Sequence, residues 1–309
     1  MENTNQISAK IIADSKNEYG NRITTFVLVM PRIILAEFNT HRMISRNSAS
    51  SRAIPFEKML KTVKETPFIP IKWMKDHSGM QGTEYFEGQE ALRIKNQWID
   101  SRWRSMESAE KLAELGVSKQ ICNRLLEPFM YHTVIATGTE WENFFALRAH
   151  EAAEIHMQDL AYKMLEEYNK STPKELKVGE WHIPFGDKID EDKALLSYER
   201  KFREDESIGD RIIENCIKIA TARCARVSYT VVGEEGKEAN YENDIKLHDR
   251  LLTAGHMSPF EHCAKCPPNY VFWEGKGERK KYFSGNFQGF QQYRKTLQGE
   301  NKTDNRVKK

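Results

Sequence analysis

The chain has 309 residues, enough for one large domain or two modest ones around a real core. Its 47 basic and 45 acidic residues nearly cancel to a formal charge of +2, which argues against a protein whose main work is coating nucleic acid. No stretch approaches the roughly 20 apolar residues of a membrane span, residues 1–10 lack the layout of a signal peptide, and five scattered cysteines (Cys122, Cys216, Cys224, Cys263, Cys266) read as free thiols of a reducing compartment, so the cytoplasm is expected.

In chain order, the β-branched run at 23–35 predicts a strand, a kink at Pro31 and a further extended or helical piece. Residues 38–52, dense in Ser, Asn and Arg, read as a loop or a helix start, and Pro55 permits a helix over 56–64. Residues 66–90 are loop-rich, 89–115 read as a helix ended by Gly116, and Ser118 opens another through Leu126, stopped before Pro128. The longest helical candidate is 140–169, free of Gly and Pro and apolar at helical spacing. The charged stretch 171–208 reads as a connecting segment. A helix over 212–224, a strand over 226–232 and a helix over 244–254 closed by Gly255 follow. The C-terminal tail is basic, and its last dozen residues, 298–309, are expected to be disordered. The expected fold class is α+β: a helix-rich single domain with a mixed or antiparallel sheet and an aromatic insert at 65–105.

The densest polar signal is Thr40-His41-Arg42-Met43-Ile44-Ser45-Arg46-Asn47-Ser48-Ala49-Ser50-Ser51-Arg52, directly after an apolar strand. Arg forks and hydroxyls at a strand end suit a phosphate or other oxyanion; a solvated loop with a Ser-rich helix cap is the plainer reading. The segment resembles the signature of the flavin-dependent thymidylate synthases, Arg-His-Arg-x-x-Ser-x-Asn-x-x-Ser-x-Arg, at every fixed position but the first, where Thr40 stands for Arg. Ala225-Arg226-Val227-Ser228-Tyr229, Gly255-His256-Met257-Ser258-Pro259-Phe260-Glu261-His262 and Asn143-Phe144-Phe145-Ala146-Leu147-Arg148 are similar to further motifs of that family. The first two follow the signature here and precede it in the family, so the chain looks circularly permuted, which needs the ordinary termini to be close in space.

The resemblance implies a role for each matching position. His41, Arg42, Asn47, Asn143 and Ser258 would hold FAD. Ser50, Arg52, Arg124 and Arg148 would hold the nucleotide. Arg148 and Ser50 are the catalytic candidates, Arg148 favouring charge that develops on the pyrimidine; Ser50, with no base candidate beside it, is read as a binder. The implied reaction converts dUMP to dTMP with methylenetetrahydrofolate as carbon donor and NADPH as reductant, in a homotetramer with sites at subunit boundaries. None of the five cysteines follows a proline, so the chain does not look like the classical cysteine-dependent enzyme.

Plainer readings stand beside these. Arg148 would pair on the surface with Glu142 or Glu151. Ser258-Pro259 would be a helix N-cap with proline in the first turn. Asn143 and Arg148, five apart on a helix, do not share a face but can flank one groove. Thr40, Ser48-Ala49, Thr137-Gly138-Thr139 and Ala152 depart from the family, mostly at flavin positions. His256, His262, Cys263 and Cys266 have spacing that could bind zinc, although structural sites usually announce four ligands more clearly, and no metal is expected. Trp73, Trp98 and Trp103 read as core or subunit contact. Three alternatives stay open: the same chemistry on dCMP or another pyrimidine nucleotide, a non-catalytic nucleic-acid-binding protein using the Arg/Ser loop and basic tail, and a structural subunit without activity.

Overall fold

The computed structural model describes residues 5–79, 82–197, 207–226, 240–273 and 279–301. Strands β1 (Ser8–Asn17) and β2 (Arg22–Pro31) form an antiparallel hairpin, followed by the short helix α1 (Leu35–Phe38), edge strand β3 (Ile44–Ser48) and helix α2 (Phe56–Glu65). The two-residue strands β4 (Trp73–Met74) and β5 (Tyr85–Phe86) pair ahead of the 27-residue helix α3 (Gly88–Glu114). Helix α4 (Lys119–Cys122), strand β6 (Tyr131–Gly138), helix α5 (Trp141–Arg148) and helix α6 (Ile155–Lys170) complete the first half. The second half carries β7 (Lys174–Leu176), β8 (Trp181–His182), α7 (Glu191–Leu196), α8 (Ile208–Ala225), α9 (Tyr241–Ala254), β9 (Ala264–Lys265), β10 (Phe283–Ser284), β11 (Phe287–Gln288) and β12 (Gln291–Gln292).

The main sheet runs β3-β6-β2-β1-β7, antiparallel except for the parallel β1/β7 pair. This is the expected mixed sheet in a helix-rich α+β fold. Central β2 is buried on both faces, so its sequence is nearly continuous in apolar and small hydroxyl residues. Phe26, Leu28 and Met30 face Trp141, Phe144, Met157 and Leu160 of α5 and α6. Val27 and Ile135 turn the other way, onto Ala49 and Cys224. The period-two alternation of a strand thus puts helices on one face and the C-terminal half on the other.

Several expectations need correction. Residues 44–48, read as loop or helix start, are a strand, because the free edge of β6 satisfies their backbone groups in a polar sequence with no strand pattern of its own. Helix 118–126 stops at Cys122 and continues as a 3-10 turn over Asn123–Phe129 with Pro128 inside it; Asn123 Nδ2 donates to Ser51 and Ile54 carbonyls at 2.7 and 3.0 Å and pins that turn. The candidate helix 140–169 is two helices. Ala149 leaves helical geometry (ψ 54), and the Glu154 carboxylate caps a new start by accepting from the His156 and Met157 amides at 2.9 and 3.0 Å. The stretch 171–208 contributes β7 to the main sheet and β8 to the β12-β9-β8 sheet, with Leu176 and His182 buried. Arg226 ends α8; the rest of the expected strand 226–232 lies outside the described residues, as do 302–309 of the tail. Of the insert tryptophans, Trp98 donates Nε1–H to Phe68 O and packs on Phe129, Trp73 is half-buried beside it, and Trp103 is exposed under the Arg102 guanidinium.

A polar chain crosses the sheet's second face. Ser15 Oγ meets His182 Nδ1 at 2.9 Å, and His182 Nε2 meets Thr25 Oγ1 at 2.8 Å. Thr25 and Thr137, register partners on β2 and β6, share a 2.8 Å hydrogen bond, and Thr137 meets His262 Nδ1 at 2.8 Å. All five residues are buried.

The C-terminal segment is clamped onto the β1–β2 turn, where Asn17 Nδ2 donates to Gly289 O at 2.7 Å. Gly289 has φ +79°, and a methyl added there would lie 2.2 Å from Asn21 Cγ. Gly289→Ala is therefore expected to lower unfolding free energy by about 2 kcal/mol through overlap and backbone strain, read by denaturant titration. An unchanged midpoint would mean the clamp is loose.

Candidate active site

Helix α5 exists because Trp141, Phe144 and Phe145 bury against the sheet, which swings its C-terminal Arg148 toward the segment just before β3. There the Arg148 guanidinium spans three partners. Nε donates to His41 Nε2 at 2.9 Å, Nη1 pairs with Glu37, and Nη2 reaches Thr40 Oγ1 at 3.4 Å. Neither Glu142 nor Glu151 is among these partners. Glu37, on α1, was not singled out in the sequence, since nothing local marks a carboxylate whose partner is 111 residues away.

His41 is fixed from three sides. Its ring meets Phe144 edge-on at 4.9 Å, its carbonyl accepts from Arg46 Nη1 at 2.7 Å, and its Nε2 faces Arg148. Burial, then the Arg148 and Arg46 charges, pull its pKa down to about 4. The ring is therefore neutral at physiological pH and keeps the lone pair that Arg148 uses. Thr40, the departure from the signature, leaves a hydroxyl in Arg148's reach and donates to Glu37 O at 2.7 Å.

These groups border a cavity of about 730 Å³. Thr40, His41, Arg42, Asn143 and Arg148 line one side; Glu140, Glu142 and Trp141 come from the start of α5, and Asn21, Lys281 and Gln288 close the other. Asn143 and Arg148 thus flank one groove from different helix faces. Arg22, also in the wall, is committed by a 2.6 Å ion pair to Asp14 and lies over the Tyr168 ring at 3.6 Å.

The remaining predicted positions lie elsewhere. Asn47 faces the C-terminal half: Nδ2 donates to Cys224 O at 2.6 Å, and Oδ1 accepts from Ser258 Oγ at 3.0 Å. Ser258 opens a 3-10 turn with Pro259 in its first turn, but its hydroxyl makes no cap, correcting the N-cap reading. Half-buried Ser50 and exposed Arg52 follow β3, with Arg52 Nε donating to Gln120 Oε1 at 3.2 Å. Arg124 Nη1 pairs with Glu127 at 2.9 Å, and Glu127 also accepts from Ser51 Oγ and stands 3.7 Å from Arg32. Ser50, Arg52 and Arg124 do not line the cavity. Arg148, grouped with them in the sequence, lines the cavity together with His41, Arg42 and Asn143.

Cys263 and Cys266 are buried, and burial pushes their thiols up to about 12 and about 11. Among the described residues no three His, Cys, Asp or Glu side chains converge as metal ligands, and no helix is long and apolar enough to cross a membrane.

The family model Thy1, thymidylate synthase complementing protein, matches residues 22–174, which include the signature, the cavity wall on α5 and Arg148. Over residues 22–174 the chain belongs to this family. No curated protein matches it. Similar solved structures include the UMP/dUMP methylase PolB from Streptomyces cacaoi bound with 5-Br UMP, at 16% identity over 53% of this chain and 90% of that one, TM-score 0.44. The same enzyme bound with 5-Br dUMP matches at 16% identity over 48% of this chain and 66% of that one, TM-score 0.38.

Proposed function

We propose that this chain is a flavin-dependent thymidylate synthase, converting dUMP to dTMP with methylenetetrahydrofolate as carbon donor and NADPH as reductant. The observation that carries the reading is the meeting of His41, Arg42, Asn143 and Arg148 on one cavity, from motifs about a hundred residues apart, within the segment that matches the family.

The cavity suits FAD. Arg42 and Lys281 offer cationic donors, Asn143 and Gln288 amides, and exposed Leu147 apolar surface for a ring system. His41, Arg42 and Asn143 would line the cofactor, with Asn47 and Ser258 holding the wall behind β3. Bound there, FAD would supply the electrons that reduce the transferred one-carbon unit to methyl. The chain's own contribution is electrostatic and positional. Arg148 stays charged, presents a planar fork, and would stabilise negative charge on the uracil ring. Neutral His41 and the Glu37 carboxylate hold that fork in place.

Ser50, Arg52 and Arg124 would take the nucleotide, with Arg52 and Arg124 as phosphate ligands. Their separation from the cavity supports a homotetramer in which each complete site draws on more than one copy. The Asn47–Ser258 contact supports the circular permutation, since it packs the late motif directly against the early one.

The test is anaerobic. Purified protein should show flavin absorption, bleach with NADPH, and recover only when dUMP and methylenetetrahydrofolate are both added. Recovery with dCMP and not dUMP would overturn the substrate, and failure to bind FAD would overturn the enzyme reading.

A further inference from the structure

A second hollow, of about 310 Å³, adjoins the main cavity, and Gly20, Asn21, Lys281 and Gln288 line both. Its other walls are Tyr19, Phe272, Arg279, Lys280 and Tyr282. Three cations and three aromatic rings face this small volume, and no acidic residue is among its described lining. Residues 274–281 carry four basic against two acidic residues, so the stretch is net positive. The walls are built in. Arg279 Nη2 donates to Tyr19 O at 2.6 Å, the Tyr19 and Phe272 ring centroids are 4.5 Å apart, and the Gly289 amide donates to Tyr282 O at 2.8 Å. All of its lining residues lie outside the segment that matches the family, and none belongs to the motifs described above.

Two adjoining concavities with a lysine on the shared wall match one kind of ligand: two ring systems joined by a pyrophosphate. We propose that this hollow holds the adenosine end of a dinucleotide whose reactive ring lies in the main cavity, with Lys281 at the pyrophosphate and Lys280 and Arg279 at the flanking phosphate or ribose. Aromatic walls accept the adenine, and clustered cations accept the phosphates. The chemistry is shared by the flavin dinucleotide and the nicotinamide dinucleotide reductant. This placement rests on the function proposed above for the identity of the ring in the main cavity.

The probe is ADP, titrated calorimetrically into the full-length protein and into Lys280→Gln/Lys281→Gln, with folding of both checked by thermal melts. Binding by the wild-type protein below about 1 mM, weakened about tenfold or more in the double variant, is expected. No wild-type binding in that range, or equal binding by both proteins, would overturn the proposal. If the variant does not fold, Lys280→Gln alone is used, and equal affinity there counts against the proposal too. ADP excluded by saturating FAD assigns the hollow to the flavin; ADP excluded by NADPH but not by FAD assigns it to the reductant. ADP binding by a protein that takes up no flavin would support the hollow while overturning the flavin enzyme reading, so the two failures are distinguishable.

Discussion

Replacing Arg148 by lysine is expected to cut kcat by about two to three orders of magnitude, the usual effect of losing one preorganised charge-stabilising donor. Lysine keeps the positive charge but offers one compact ammonium in place of a planar fork. It cannot meet His41, Glu37 and Thr40 together, so the charge loses its direction. Flavin content should fall little, because Arg42 and Asn143 remain in the wall. The check is single-turnover oxidation of the NADPH-reduced enzyme with dUMP and methylenetetrahydrofolate. A loss under about fivefold would show that Arg148 acts only as a surface cation. Glu37→Gln separates orientation from charge: it leaves Arg148 charged and unclamped, and should reproduce part of the loss.

The thermal midpoint is expected to drop as pH falls from about 6.5 to about 5, a range in which ordinary carboxylates stay mostly ionised. Burial lowers the pKa of His182 to about 4 and of His262 to about 3, and that of buried His132 to about 3. In the unfolded chain all three titrate near 6.5. Below that pH the unfolded state takes up protons that the native state refuses, so the contribution is complete above pH 6.5 and is lost as pH falls toward the folded values. His182 and His262 each carry about 3 kcal/mol of this by pH 4. The geometry agrees: both imidazoles sit in a chain of hydroxyls with no carboxylate as a direct hydrogen-bond partner. Scanning calorimetry at about pH 7.5, 6 and 5 reads the slope, and His182→Gln should flatten it. A midpoint constant over that range would sink the account even if the variant failed to fold.

Much of this molecule was legible in one dimension. The β2 run announced a buried strand, Gly116 and Gly255 marked helix ends, and both adopt the positive φ those ends require. The dense Arg, Ser and Asn segment announced a site, and its spacing matched a family signature that the family model then matched over the same residues. Such features are local. They depend on residue type, period and neighbours along the chain, which is what a sequence records.

What the sequence could not reveal was contact between distant segments. Strand β3 is polar after Ile44 and forms because β6 offers it an unpaired edge, so no internal pattern betrays it. The helix expected over 140–169 breaks after Arg148 and restarts beyond Glu154, whose carboxylate caps the second start. Arg148 had two acidic residues near it in the chain, Glu142 and Glu151, and pairs with neither, because packing of α5 on the sheet aims it at Glu37 and His41. The division of the predicted residues follows the same logic. Sequence picked out the candidate side chains; tertiary structure decided that Arg148 stands with His41, Arg42 and Asn143, apart from Arg52 and Arg124, because burial of apolar faces fixes where each polar tip emerges.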